Sequence, residues 1–279
     1  MGDTRIASDH YPDLQLYINF MMTKVNETGI GSLYQNYGDW CPPGNGGSPP
    51  KSYTSGVALL QDLQRMAELA TALGLGADAA QYASWRSALV GDFNEAWEVN
   101  GTYGGGSGVQ TCNAAALFLA TPATPAATAA VRSVLAKDVL QKERHWSTGI
   151  IGMRFLHSAL TEAGNGSMAI DTLLQSDYPS FGYWFSGVDE TAATTLWELP
   201  NAPNTGPGMN SRNHVSHLGL QRIFSTLAAA GGGTCHCLAC AAVSLTAFFF
   251  PPHTLTLPFP NLPFCSVTAY VCQRRWLPV

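Results

Sequence analysis

Charge is scarce in this chain. Only 12% of its 279 residues are Asp, Glu, Lys or Arg, and 19 acidic residues against 14 basic ones leave a net charge of −5. A protein that grips nucleic acid needs a basic stripe, and the sequence holds none. The first residues, MGDTRIASDHYPDLQ, are polar and contain no apolar segment of a secretory leader. Gly2 makes no myristoylation motif, because Ile6 fills the Ser/Thr position. The apolar run from Val243 to Phe259 is broken by Pro251, Pro252, His253 and Pro258, which argues against a membrane-spanning helix. Neither GxSxG nor HExxH occurs, and no Ser–His–Asp arrangement can be built. Nucleic acid and membrane are therefore not expected partners.

Cysteine is thin in the body of the chain, with Cys41 and Cys112 alone before residue 235. The other five, Cys235, Cys237, Cys240, Cys265 and Cys272, crowd the tail. Seven is odd and no spaced pairs cover the fold, so a disulfide scaffold is not indicated. Three sequons, at Asn26, Asn100 and Asn165, carry little meaning without a leader.

What is present is helical periodicity. Residues 9–26 place Leu14, Tyr17, Ile18, Met21 and Met22 at helical spacing. Residues 27–51 form a loop dense in Gly and Pro, long enough to suggest function. The strongest helix runs from Ser52 to Leu73, with Ser52 or Thr54 as cap and Gly74 as stop. A second, Ala77 to Trp97, repeats Tyr82, Trp85, Leu89, Phe93 and Trp97. After the turn VNGTYGGGSGVQ come helices at Thr111–Leu119, 125–140, Thr148–Ala163 and Ser167–Leu174. No convincing alternating strand appears. The predicted class is all-α, built from helical hairpins.

The character changes at about residue 223. Residues 224–279 have no 3.6-residue period, almost no charge, and clustered Cys, Phe and Pro. A disordered tail would be polar. The expectation is an aberrant tail, disordered or translated from non-coding sequence. Within it, Cys235-His236-Cys237 and Cys240 suggest zinc, but a second ligand pair is missing and three adjacent ligands do not face one tetrahedral ion easily. No metal or other cofactor is expected.

Several short segments carry possible chemistry. Glu198 follows Trp197 directly, ahead of a Pro/Asn/Gly-rich loop and the cluster Asn210, Ser211, Asn213 and His214. A flat ring can stack on a sugar, amides and imidazoles bond hydroxyls, and a carboxylate can activate water. The competing reading is a helix-end Glu followed by a polar loop. Asp39-Trp40 suits a sugar in the same way, or Trp40 folds onto the core while Asp39 caps the next turn. His145, before the apolar helix that Ser147 or Thr148 can cap, faces either a pocket or the protein interior. The Gly-rich stretch Tyr103–Val109 lacks the Lys and Ser/Thr of a phosphate loop; it reads as a turn that lets backbone come close to a ligand or a helix.

Taken together, YGDW (residues 37–40), FNEAW, YGGGSGVQTCNAAALFL (93–119 with the preceding segment), HWSTGIIGMRFLHSALTEAG (145–164), SDYPSFGYWF (176–185), ATTLWE (193–198) and MNSRNH (209–214) resemble the catalytic domain of α-L-rhamnosidases of glycoside hydrolase family 78. The likeness covers about residues 9 to 220. It implies part of an (α/α)6 toroid over residues 1–223, followed by the non-family tail. It also implies hydrolysis of terminal α-L-rhamnosides with inversion, which places two carboxyl groups roughly 6.5–9.5 Å apart around a water. By the same resemblance Glu198 is the general base, His214 binds rhamnose and Trp40 contacts the sugar. The expected site is Glu198 as catalyst with Asp39, Trp40, His145, Trp197, Asn213 and His214 at the substrate, a rhamnosylated glycoside or oligosaccharide. The family's acid sits in an Arg-Asp-Glu-Arg segment that this sequence does not contain, so the expectation is a truncated domain without its acid. Asp189 and Glu190 also stand where the family usually has Gly. The alternatives are a non-catalytic sugar-binding remnant, or an inverting toroid glycosidase for another sugar.

Overall fold

The computed structural model describes residues 4–33, 37–44, 47–185, 197–203, 206 and 212. All of them lie in the first of two compact units, Met1–Thr226. The readings made for the tail, including its Cys235–Cys240 cluster, fall outside the described residues.

The described residues are mainly helical. Eight α-helices follow in order: α1 (Arg5–Thr28), α2 (Lys51–Ala72), α3 (Gly76–Trp97), α4 (Val109–Phe118), α5 (Pro125–Gln141), α6 (Ile150–Glu162), α7 (Gly166–Leu174) and α8 (Phe181–Phe185). Among the described residues, no helix is long and apolar enough to cross a membrane.

α2 and α3 form the first tight hairpin. A Schellman motif ends α2 at the expected glycine: Leu75 N–H donates to the Ala70 carbonyl and Gly74 N–H to that of Thr71, with Gly74 at φ 74°. Of the five-residue repeat read on α3, Tyr82, Leu89 and Phe93 are buried, while Trp85 and Trp97 are half-buried. Tyr53 and Phe93 meet with ring centroids 5.1 Å apart. α5 begins with Pro125 at its first turn, and the Thr124 hydroxyl accepts from Ala127 N–H at 3.0 Å.

α1 departs from its sequence reading. Its buried stripe is Tyr11, Ile18 and Val25, one residue in seven, while Leu14 and Tyr17 are 37% and 46% exposed. The reason is narrow contact: α1 meets the rest of the unit along one line, tied by Tyr11 and Gln15 donating to Asp78 Oδ2 on α3 at 3.0 and 2.9 Å. Two short elements were also not foreseen. Glu98–Val99 (β1) and Thr102–Tyr103 (β2) pair antiparallel across the Asn100-Gly101 turn. α8 follows residues 176–180.

The second half of the described unit is layered around α4. This helix is buried nearly all round, packing on α5 and α6, and α6 pairs in turn with α7. Small residues, Ala114, Ala115 and Ala116, let the neighbours approach. Its two polar residues at the start, Gln110 and Thr111, are fully buried and point to where the loops converge.

Candidate active site

The centre of the site is the start of α6. A helix N-terminus carries unpaired N–H groups and a partial positive charge. Here neither Ser147 nor Thr148 caps it, contrary to the sequence reading; Gly149 is the N-cap and contributes no side chain. The long α1–α2 loop supplies the cap instead. Asp39 Oδ2 accepts from Gly149 N–H at 2.8 Å and Oδ1 from Gly152 N–H at 2.9 Å, while the Trp40 carbonyl accepts from Ile150 N–H at 2.9 Å. The Thr111 hydroxyl donates to Asp39 Oδ2 as well. Burial pushes the Asp39 carboxyl above its ordinary value, opposed by the hydrogen bonds from Thr111, Gly152 and Gly149 and by the Ile151 backbone N–H.

Two glycines make this approach possible. A Cβ on Gly149 would stand 2.3 Å from the Trp40 carbonyl oxygen, and one on Gly152 would stand 2.2 Å from Thr111 Oγ1. Gln110 completes the junction: its Nε2 donates to the His145 carbonyl at 3.1 Å and its Oε1 accepts from Ser147 N–H at 2.7 Å. The segment QTCN on α4 thus holds HWST from below. Neither Gln110 nor Thr111 was singled out from the sequence, since their partners lie on distant segments.

With Asp39 clamped inward, Trp40 is turned outward. Its ring is 45% exposed and stands edge-on to Tyr37, 5.5 Å between centroids. Its Nε1 donates to Glu198 Oε1 at 2.8 Å, joining two segments 158 residues apart. Glu198 itself is half-buried, on a segment anchored by Trp184, whose Nε1 donates to the Pro200 carbonyl at 2.7 Å. Arg212 donates to the Ala202 carbonyl through Nε and Nη2 at 2.9 and 2.6 Å. Beneath Glu198 is a cavity of about 10 Å³, lined by Cys41, Thr148, Met153, Trp184 and Trp197 among others. Cys41, also not foreseen, has its thiol pushed up to about 11 by burial and then by the Glu198 charge, so it stays protonated at neutral pH.

Three residues expected at the substrate are held by the protein. Asp39 is 1% exposed and does the capping just described. Trp197 is 3% exposed, 5.8 Å from Trp184 between centroids, with the Arg212 guanidinium 4.1 Å from its own centroid. It is a wall of the aromatic cluster Trp146–Phe181–Trp184 rather than an open stacking face. His145 is 8% exposed; Nδ1 lies 3.0 Å from the Lys142 carbonyl and Nε2 3.0 Å from Asp177 Oδ1. Asn213 and His214 lie outside the described residues. Among the described residues, no group of three His, Cys, Asp or Glu is placed to hold a metal. A much larger groove, about 930 Å³ between α2 and α3, lies elsewhere, lined by Gln64, Glu68, Arg86 and Phe118 among others.

Comparison with known proteins gives the family. The sequence model described as the bacterial alpha-L-rhamnosidase 6 hairpin glycosidase domain matches residues 1–223, and the chain belongs to that family. An alpha-L-rhamnosidase of Alteromonas sp. (strain LOR) is 27% identical over 240 residues, covering 80% of this chain and 25% of its own. The structure of an alpha-L-rhamnosidase from Dictyoglumus thermophilum superposes with a TM-score of 0.69 at 28% identity, over 80% of this chain and 25% of that one. A Streptomyces avermitilis alpha-L-rhamnosidase, solved in complex with L-rhamnose, gives a TM-score of 0.68 at 25% identity, over 80% and 21% of the two chains. The chain therefore spans about a quarter of the length of the relatives it matches.

Proposed function

We propose that this chain carries the base half of an inverting α-L-rhamnosidase site, with Glu198 as the group that activates water. The observation that supports this best is the 2.8 Å hydrogen bond from Trp40 to Glu198, which sets a carboxylate beside an exposed ring. The ring offers a stacking surface for the sugar, and the indole N–H fixes one carboxylate oxygen. The substrate class follows from the relatives, which are named alpha-L-rhamnosidases, one of them solved with L-rhamnose.

In the proposed reaction Glu198 takes a proton from water as the water oxygen bonds to the anomeric carbon. The bond to the leaving oxygen breaks on the opposite face, and its electron pair leaves with the aglycone. A leaving alkoxide needs a proton from a general acid, a contribution of roughly 10²–10⁴-fold. This sequence contains no Arg-Asp-Glu-Arg segment. The reading therefore places the acid outside this sequence and confines turnover to aglycones that depart as stable anions.

p-Nitrophenyl α-L-rhamnoside is such a substrate. Release of p-nitrophenol by the chain, lost in Glu198→Gln, is the expected result. Equal release by both proteins would remove Glu198 from its role, and calorimetric rhamnose binding without any release would make the chain a sugar-binding module.

A further inference from the structure

The hydroxyl of Thr148 is an anomaly in this fold. The residue is 2% exposed, and among the described residues its Oγ1 has no hydrogen-bond partner. A Thr before a helix normally uses that oxygen as a cap. Here Asp39 and the Trp40 carbonyl already satisfy Gly149, Ile150 and Gly152, so the capping work is taken. Leaving a buried hydroxyl with no partner is costly, and such groups are normally satisfied by protein or by ordered water.

Thr148 also lines the cavity beneath Glu198, which measures about 10 Å³. That is about the least space that holds a single water. Most of the lining, Trp146, Met153, Trp184, Trp197 and Pro200, is apolar. The polar side chains on it are Thr148, the protonated Cys41 thiol and Glu198, and a carboxylate and a hydroxyl are the stronger partners a water would find. A hydroxyl can donate and accept, and a carboxylate accepts, so one water can bridge the two with its hydrogens correctly spent.

We propose that Thr148 is a positioning residue for Glu198, acting through one water held in this cavity. The inference rests on Glu198 being the base. Trp40 then holds the carboxylate at Oε1 from the solvent side, and the Thr148-bound water holds it from the protein side. A carboxylate fixed twice keeps its orientation toward the attacking water, and small misplacements of a catalytic group are expensive in rate. The α6 junction built by Asp39 thereby reaches the catalytic carboxylate without touching substrate.

The test has two arms. In a high-resolution crystal structure of the unaltered chain, a water within hydrogen-bonding distance of both Thr148 Oγ1 and the Glu198 carboxylate is expected. An empty cavity, or a water that does not reach Thr148, overturns the proposal. In turnover of p-nitrophenyl α-L-rhamnoside, Thr148→Val lowers kcat about tenfold with KM unchanged, and Thr148→Ser restores most of it. An unchanged kcat in Thr148→Val, or a loss that Thr148→Ser does not restore, overturns it too. Should Glu198→Gln turn over as fast as the unaltered chain, the assignment of the base fails, and the crystallographic arm alone decides whether the bridge exists. That arm also stands if Thr148→Val does not fold.

Discussion

Asp39 Oδ1 accepts from the backbone N–H of Gly152 at 2.9 Å, a contact that spans 113 residues of sequence and fixes the entrance of α6 to the loop after α1. Its other oxygen accepts from Gly149 and Thr111. One buried carboxylate therefore does for α6 what a local Ser or Thr does for most helices. Trp40 inherits its outward direction from this clamp, because its own carbonyl accepts from Ile150 N–H.

Asp39→Asn should be strongly destabilising although it is nearly isosteric. An amide presents an N–H₂ group to one of the two backbone N–H groups that point at Asp39, so that N–H loses its acceptor and meets a second donor. A cost of about 3 kcal/mol in urea denaturation is expected, the upper range for hydrogen bonds to a charged group. A change below about 0.5 kcal/mol, the ordinary range for a neutral surface position, would show that the clamp does not hold the fold.

Trp40→Phe separates ring from hydrogen bond. The ring face remains for the sugar while the donor to Glu198 Oε1 is lost. One hydrogen bond to a carboxylate is worth about 1.5 kcal/mol, so kcat on p-nitrophenyl α-L-rhamnoside should fall about tenfold. Stability should move by less than about 0.5 kcal/mol, because the residue is half-exposed. A large fall in stability with kcat unchanged would contradict the role given to the indole N–H.

Much of the helical framework was legible in the sequence. Gly74 and Gly164 stop α2 and α6 where their motifs predict, and the Tyr82–Leu89–Phe93 stripe of α3 is the buried one. These are local effects of chirality and period. The Glu98–Tyr103 hairpin was missed because strands of two residues each have no room to show alternation. In the site, the sequence offers Trp197-Glu198 and Asp39-Trp40 as two separate ring–carboxylate neighbours, but neither the hydrogen bond between Trp40 and Glu198 nor which rings and carboxylates face outward. Asp39 and Trp197 have the same composition-level credentials as Trp40. Only the α6 N-terminus, distant in sequence, decides that Asp39 turns inward, and only the Trp184 cluster decides that Trp197 is a wall. Gln110 and Thr111 were illegible for the same reason: their partners are 35 to 72 residues away.

Ala120→Gly should stabilise the protein. α4 ends in the same two-bond motif as α2 and α6: Thr121 N–H donates to the Ala116 carbonyl and Ala120 N–H to that of Leu117. The left-handed position is glycine in the other two helices but alanine here, at φ 52°. A Cβ in that region is strained, and the residue is exposed, so nothing is lost from packing. Set against the greater freedom of glycine in the unfolded chain, a net gain of about 0.5 kcal/mol is expected. Thermal unfolding should rise by about 1–2 °C; a fall would mean that the alanine is not strained.

His157 should make the fold sensitive to mild acid. The residue is 1% exposed on α6, with Nε2 3.0 Å from Thr172 Oγ1. The Thr172 hydroxyl spends its hydrogen on the Ala169 carbonyl at 2.8 Å, so it accepts from His157, which assigns the proton to Nε2. Burial pushes the imidazole down to about 4 from its ordinary 6.5, against a smaller upward pull from the Met153 carbonyl. Above pH 6.5 both folded and unfolded chains hold it neutral, and stability does not depend on it. As pH falls from 6.5 towards 4 the unfolded chain takes a proton that the folded one refuses. Stability is therefore lost through that window, by roughly 3 kcal/mol in all, and levels off below about 4. His157→Gln removes the titration while keeping a donor for Thr172. Its stability measured at pH 7.5 should be lower than that of the unaltered chain, but the gap should narrow steadily between pH 6.5 and 4.5. Two denaturation curves that stay parallel across that interval would mean that His157 takes up its proton in the folded state as readily as in the unfolded one.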